Sequence, residues 1–173
     1  MITKQDFYKY KIFAGKDIFE IRRQYPQQIN EINEWFRSSD YKAISSYKSS
    51  LLQKLKKVLI DDEILIISGE QLYSIYQWWI SQTKECHYCK IKETELEELR
   101  NIPGHINKRY PKRGKSLEID RKKSDLPYTN VSNLVLACYW CNNAKTDTFT
   151  ESEFLKIGKV IQEIWNDRFE KKT

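Results

Sequence analysis

The chain has 173 residues, of which 40% are hydrophobic and 13% aromatic, so it can bury a core and does not have the composition of a disordered protein. Its apolar runs are only a few residues long, which excludes a membrane-spanning helix, and the first residues lack the apolar segment of a signal peptide. These features predict a protein with no membrane partner and a cytoplasmic location, where cysteines stay reduced.

The first 62 residues predict a helical region. Apolar side chains recur at three- and four-residue steps after Pro26 and again from Ile44 to Val58, as expected of amphipathic helices. The acidic run that begins at Asp61 marks a boundary. We therefore predict an N-terminal helical region, 1–62, for dimerisation, specificity or partner docking, and a second domain, 63–173.

The second domain has signals for both helices and strands. Capping boxes at Ser68–Gln71 and Thr150–Glu153 predict two helix starts. The segments Leu117–Asp120 and Leu134–Ala137 have the short apolar patterns of strands, the first of them half-buried, and a polar helix is predicted to begin at Cys141. The expected fold class is therefore α+β, with a mainly helical chain around a small two-strand core.

A basic stretch between residues 108 and 123 carries the same net charge, +6, as the whole chain. It leads directly into the first predicted strand, which favours contact with nucleic-acid phosphates over the alternative of a solvated loop. Its basic residues are Lys108, Arg109, Lys112, Arg113, Lys115, Arg121, Lys122 and Lys123.

The four cysteines form two Cys-x-x-Cys pairs, Cys86 with Cys89 and Cys138 with Cys141. The spacing lets both thiolates of one turn face the same ion, and two such turns complete a tetrahedral zinc site. Four protein ligands leave no position for water, so this zinc would be structural. Two disulfides are the alternative that the count allows, and a reducing location disfavours them.

Asp120 and Asn142 are candidates for a second metal site. A carboxylate from a strand end and an amide oxygen from a helix start suit one Mg²⁺ or Mn²⁺ ion that takes its other ligands from water and phosphate. Each residue also has a simpler interpretation, since Asp120 could pair with a neighbouring Lys or Arg and Asn142 could cap a helix.

Together these residues resemble the HNH family of ββα-metal nucleases, over about residues 68–165. The resemblance is carried by Ile119-Asp120-Arg121, by Asn133 to Cys138, and by Cys141-Asn142-Asn143-Ala144-Lys145. It implies a zinc-stapled ββα-metal core with Asp120 and Asn142 as ligands of a catalytic ion. It also implies that Asn133 orders the loop between the strands and that Lys145 lies close to the phosphate backbone.

Arg121 departs from the usual family pattern, which has His after the Asp as the general base. A guanidinium cannot accept a proton at neutral pH, so Arg121 is expected to clamp the scissile phosphate. The Asp-Arg pair resembles a smaller branch typified by the restriction enzyme PacI, in which a tyrosine takes the catalytic role. That similarity makes Tyr88 the candidate for activating water, if Arg121 and the metal lower its pKa. His105 and His87 are rival bases, and the last alternative is that this chain supplies no base.

The resemblance implies a metal-dependent endonuclease that hydrolyses phosphodiester bonds in DNA, in restriction or phage defence. A zinc-stabilised nucleic-acid-binding module without catalysis is the first alternative, because the family's His is absent. A nuclease subunit that a partner protein controls through the N-terminal helices is the second. The aromatic residues of the N-terminal region would permit such an interface, although a core explains them as well. The resemblance also allows a homodimer formed through the N-terminal helices.

Overall fold

A computed structural model describes residues 1–56, 68–102 and 113–171. These residues divide into two compact units, Met1–Ser81 and Gln82–Thr173. The predicted boundary between residues 62 and 63 lies outside the described residues. The predicted α+β class is confirmed, since helices dominate and two short strands form one antiparallel sheet. No helix among the described ranges is long and apolar enough to cross a membrane.

Helices are the only regular elements among the described residues of the first unit, and those between residues 4 and 56 lie in the region 1–62 that the sequence predicts to be helical. A π-helical turn, Lys9–Phe13, follows its first helix, and a short 3₁₀ turn begins at Pro26. Its α-helices are α1 (Lys4–Tyr8), α2 (Ile18–Gln24), α3 (Ile29–Arg37), α4 (Ser39–Lys56) and α5 (Gly69–Ser81).

Buried apolar side chains from α1, α2, α3 and α5 form the core of the first unit. Phe7, Ile21, Ile32 and Ile75 are fully buried. The predicted capping box at the start of α5 is confirmed, because Ser68 Oγ accepts from the Gln71 N–H and the Gln71 side chain accepts from the Ser68 N–H. This reciprocal pair satisfies two backbone donors that the first turn would otherwise leave unpaired.

The second unit contains both strands and the second of the predicted capping boxes. The strands pair with Glu118 opposite Ala137 and Arg121 opposite Leu134, and all four residues of the second strand are buried. A 3₁₀ turn, Glu93–Glu95, precedes α6. The elements are α6 (Leu96–Asn101), β1 (Glu118–Arg121), β2 (Leu134–Ala137), α7 (Tyr139–Lys145) and α8 (Glu151–Glu170).

Helix α7 begins at Tyr139, two residues before the predicted start at Cys141. Cys138 is its N-cap residue, and the Cys138 sulfur accepts a hydrogen bond from the Cys141 N–H. A cysteine is not among the usual capping residues, which is why the sequence pattern placed the start too late. The capping box at Thr150, in contrast, opens α8 as predicted.

Helix α8 packs its middle against the turn that carries Cys86 and Cys89. A Cβ added at Gly158 would lie 2.5 Å from the Tyr88 carbonyl oxygen and 2.7 Å from the Tyr88 carbonyl carbon. The neighbouring atoms are backbone, which cannot rotate away as a side chain would. Gly158 therefore permits the close approach of α8 to the cysteine turn.

We expect Gly158→Ala to destabilise the second unit by about 1–3 kcal/mol, the usual cost of overpacking a filled site. Helix propensity alone predicts the opposite sign, a gain of about 1 kcal/mol for replacing a helical Gly with Ala. Urea denaturation of the protein measures the difference, with the exposed neighbour Lys159→Ala as the control. A Gly158→Ala protein as stable as wild type would contradict the close packing.

Candidate active site and cysteine metal cluster

The four cysteines come together in one buried cluster, as their spacing predicts. Their sulfur atoms lie within 4.8 Å of one another, and none of them forms a disulfide. The Cys89 and Cys138 sulfurs are 3.7 Å apart, far longer than a bond of about 2.05 Å between disulfide sulfurs. Tetrahedral zinc with Zn–S bonds of about 2.3 Å needs sulfurs about 3.8 Å apart. The cluster thus has the donor set and the spacing of a metal site.

The thiols influence one another strongly. Hydrogen bonding from the Cys138 thiol lowers the pKa of Cys86, so one thiolate forms easily. The pKa of Cys141 is raised, first by its hydrogen bond to Cys138 and then by the other cysteines. All four can ionise together only with a cation present, so metal binding must release protons and weaken as the pH falls.

Asp120 lies in a buried polar environment at the end of β1. It is only 8% exposed, and its Oδ2 accepts a hydrogen bond from the Tyr88 hydroxyl at 2.7 Å. Its Oδ1 accepts from the Arg121 N–H, and the Lys145 ammonium is 3.8 Å from Oδ2. Burial raises the pKa of Asp120 even though these donors lower it. A buried carboxylate with a perturbed pKa is a frequent mark of a functional site.

Tyr88 connects the cysteine turn to this strand. It is fully buried, its ring packs edge-on against Phe154 of α8, and its hydroxyl reaches Asp120. Burial, followed by the charge of Asp120, raises the pKa of Tyr88 above its ordinary value. The protein's own groups therefore favour the protonated form of Tyr88, and the lowering of its pKa by Arg121 together with the catalytic metal stays a prediction.

Helix α7 lies against β1 and supplies one partner to each of two strand carboxylates. Asn142 donates from Nδ2 to Glu118 Oε2 at 2.7 Å, and Lys145 approaches Asp120. Glu118 and Asp120 share one face of the strand because side chains alternate along it, and Asn142 and Lys145 share one face of the helix. Two neighbouring pairs of side chains, Glu118 with Asn142 and Asp120 with Lys145, therefore link β1 to α7.

The comparisons with known proteins identify the fold. No protein-family model and no curated protein matches the chain. The solved structure of PacI, described as a rare-cutting HNH restriction endonuclease that perturbs DNA, matches with a TM-score of 0.50. The match has 24% sequence identity and covers 70% of this chain and 80% of PacI. The chain has an HNH-like fold.

Arg121 is oriented by the loop that follows β1 of this HNH-like core. Its guanidinium donates to the Leu126 carbonyl and lies 4.7 Å from the centre of the Tyr128 ring. The predicted phosphate-clamping role stays a prediction, and the structure shows the starting position from which Arg121 would act.

Asn133 closes the same loop in the way that the resemblance implies. Its side-chain oxygen accepts from the Lys123 N–H, and its amide nitrogen donates to the Lys123 carbonyl. The Asn133 carbonyl also accepts from the Lys122 N–H. One buried amide thus fixes the backbone just after Arg121.

The basic residues predicted to contact nucleic acid differ in their surroundings. Lys115 and Lys123 are exposed and Lys122 is partly exposed. Arg113 forms a salt bridge with Glu118 and stacks on the Tyr139 ring. Three predicted contacts, Lys108, Arg109 and Lys112, and the rival base His105 lie outside the described residues.

Lys145 is buried, only 2% exposed, and donates to the Arg121 carbonyl at 2.9 Å. This is not the position expected of a residue that contacts the phosphate backbone. A buried ammonium beside Asp120 instead balances the carboxylate charge and ties α7 to β1. Its location could not be read from the sequence, because lysines are rarely buried unless paired.

His87, the remaining rival base, is engaged elsewhere. Its Nε2 lies 2.8 Å from Glu151 Oε1 at the start of α8, and the His87 ring packs edge-on against Tyr88. Sequence reasoning missed Glu151, Glu118 and Tyr128 as partners of site residues. The alternation of β1 was the one available signal, since it places Glu118 on the same face as Asp120.

Proposed function

We propose that the chain is a metal-dependent endonuclease that hydrolyses phosphodiester bonds in DNA. The observation that carries the proposal is the hydrogen bond between Tyr88 and Asp120, which joins the cysteine turn to the end of β1 in an HNH-like core. The family places its catalytic groups at this junction. The structural neighbour PacI acts on DNA, which supports DNA as the substrate.

In this proposal zinc occupies the cluster of Cys86, Cys89, Cys138 and Cys141. The buried sulfurs and their spacing support a structural role. Zinc fastens the turn that carries Tyr88 to the start of α7, so the geometry of the catalytic residues depends on it.

Asp120 and Asn142 hold the catalytic Mg²⁺ or Mn²⁺. Oxygen donors of these two kinds suit a hard cation that keeps open positions for water and phosphate. When bound, the ion supplies charge for the developing transition state and for the leaving oxygen. The Lys145 ammonium near Oδ2 and the Arg121 N–H, which donates to Oδ1, hold the Asp120 carboxylate in place.

Arg121 binds the phosphate. Tyr88 acts as the base in its phenolate form, which is generated when the hydroxyl proton now shared with Asp120 passes to solvent, and this phenolate then accepts a proton from the attacking water. The Arg121 guanidinium contacts the Leu126 carbonyl and the Tyr128 ring, and the singly charged phosphate of a phosphodiester can replace these contacts with stronger charge-assisted hydrogen bonds. Among the described basic residues, Lys115, Lys122, Lys123 and the exposed Arg113 hold the DNA backbone.

We expect Tyr88→Phe to lower the single-turnover cleavage rate by about 10²- to 10⁴-fold, the usual contribution of a general base. His87→Gln and His105→Gln are expected to keep most of the rate. Because burial raises the pKa of Tyr88, the wild-type rate should still rise with pH above about 7.5, where a histidine base would have levelled off. A plateau at neutral pH together with an active Tyr88→Phe protein would exclude Tyr88 as the base.

A nucleic-acid-binding module without catalysis is the second candidate. It is favoured by the absence of a histidine beside Asp120 and by the raised pKa of Tyr88. Incubation of zinc-loaded protein with supercoiled plasmid, with and without added Mg²⁺ or Mn²⁺, separates the two. Retarded but uncut plasmid under every ion condition would establish the binding module and refute the nuclease.

The biological setting is proposed by analogy alone. A restriction or phage-defence role fits the kind of enzyme that PacI is. The N-terminal region then provides dimerisation, specificity or partner docking, and these assignments remain predictions.

A further inference from the structure

Glu118 is a mostly buried carboxylate, 20% exposed in its side chain, that the proposed reaction does not use. It lies at the start of β1, two residues before Asp120. Its Oε2 accepts from Asn142 Nδ2 at 2.7 Å. The Arg113 guanidinium donates to both of its oxygens, at 2.8 and 2.9 Å through one nitrogen and at 3.3 Å through Nε.

The contact between Glu118 and Asn142 decides which way the Asn142 amide faces. An ionised carboxylate only accepts hydrogen bonds, so it must meet the NH₂ group of the amide. The opposite orientation would bring the amide oxygen against a carboxylate oxygen. Since the two ends of an amide have nearly the same shape, packing alone would not choose between them, whereas the charge of Glu118 does.

The pair of Glu118 and Asn142 lies next to the candidate ion site. Glu118 and Asp120 lie on one face of β1, and the Asn142 amide is held by the first of them. With its NH₂ committed to Glu118, Asn142 has its oxygen left for another partner. A cation requires that oxygen, because an NH₂ group cannot be a metal ligand.

We propose that Glu118 is a positioning residue that fixes the Asn142 amide with its oxygen directed to the catalytic ion. This inference rests on the proposed function, since it assumes that Asn142 is a ligand. Outer groups of this kind orient metal ligands in many sites, and their loss commonly weakens metal affinity by about 10- to 100-fold.

Arg113 offers a test of the simpler alternative that Glu118 only anchors a loop. Arg113 lies on the Tyr139 ring at 4.5 Å. The contacts of Arg113 with Tyr139 and Glu118 would therefore tie the basic stretch to α7 without any role for Asn142. If anchoring were the whole role of Glu118, replacing Glu118 or Arg113 would change the Mn²⁺ dissociation constant equally.

The experiment measures the Mn²⁺ dissociation constant of the zinc-loaded full chain by EPR titration, without DNA, and its unfolding temperature. We expect Glu118→Gln, which keeps the shape but no longer dictates the amide orientation, to raise the dissociation constant about tenfold. Arg113→Gln should change the Mn²⁺ dissociation constant less than twofold. It should lower the unfolding temperature by at least as much as Glu118→Gln does. Unchanged Mn²⁺ affinity in Glu118→Gln, or equal weakening in both variants, would overturn the inference.

A double-mutant cycle tests whether Glu118 acts through Asn142. In an Asn142→Ala background, Glu118→Gln should change the Mn²⁺ dissociation constant less than twofold, because the orienting contact has already gone. Additive effects would show that Glu118 acts on Mn²⁺ binding independently of Asn142 and would refute positioning. Failure of the wild-type protein to bind Mn²⁺ would instead refute the ion site of the proposed function itself.

Discussion

Replacement of Cys141 by Ser is expected to remove zinc and to abolish cooperative unfolding of the second unit. The four sulfurs lie within 4.8 Å of one another and all are buried, so one lost ligand leaves three thiols without their cation. Zinc-binding free energies in small structural sites are about 10–16 kcal/mol, as large as the whole stability of a typical domain. Metal analysis and near-ultraviolet circular dichroism of the purified variant measure the two effects.

Chelation provides the matched control in the wild-type chain. A strong chelator should produce the same loss of signal, zinc should reverse it, and the chelator concentration required should fall as the pH falls, since protons compete for the thiolates. The Cys141→Ser protein should not recover with zinc. A variant that keeps wild-type zinc content and a wild-type unfolding transition would contradict the structural role of the cluster.

Replacement of Asp120 by Asn is expected to lower the DNA cleavage rate by about 10²- to 10³-fold or more. Loss of the charged ligand forfeits several kcal/mol of transition-state stabilisation, and each 1.36 kcal/mol is a factor of ten in rate. Asn has the same shape as Asp, but its side chain has only one acceptor oxygen. The Asp120 carboxylate uses two, one to accept from the Tyr88 hydroxyl and one to accept from the Arg121 N–H. DNA affinity, measured by fluorescence anisotropy at fixed salt, should change much less than the rate.

The exposed Asp167 on α8 is the matched control for this change. Asp167→Asn removes the same charge from an exposed position on α8 of the same unit and should cleave DNA like wild type. An Asp120→Asn protein that has lost zinc or its unfolding transition would show a structural defect, so both are measured before the rate. Equal cleavage by the two Asn variants would remove Asp120 from the mechanism.

Local signals explain how much of the fold the sequence predicts. Each capping box and each strand depends on residues that are close together in the chain. The capping boxes at Ser68 and Thr150 and the two predicted strands are all present in the structure. The cysteine cluster is a long-range feature, yet it was predictable because only four cysteines exist and their pairs have metal-binding spacing. The start of α7 was missed because a thiol takes the place of the usual capping oxygen.

Contacts between distant segments account for most of what was not predicted. The burial of Lys145, the pairing of Glu118 with Asn142, and the engagement of His87 by Glu151 all depend on how α7 and α8 pack. Charged residues are exposed by default in a sequence-based argument, and nothing in the local pattern marks these exceptions. The half-buried alternation expected of β1 is present from Leu117 to Ile119, and Asp120 departs from it because Tyr88 and Lys145 cover that carboxylate.

The most direct measurement is conversion of supercoiled plasmid by zinc-loaded protein under single-turnover conditions, with Mn²⁺ or Mg²⁺ added or omitted. Ion omission is used because a chelator would also remove the zinc. We expect wild type and Asp167→Asn to produce nicked or linear DNA only with the added ion, and Asp120→Asn to leave the plasmid supercoiled. Cleavage that persists in Asp120→Asn, or no cleavage of any plasmid by the zinc-loaded wild type, would contradict a metal-dependent nuclease centred on Asp120.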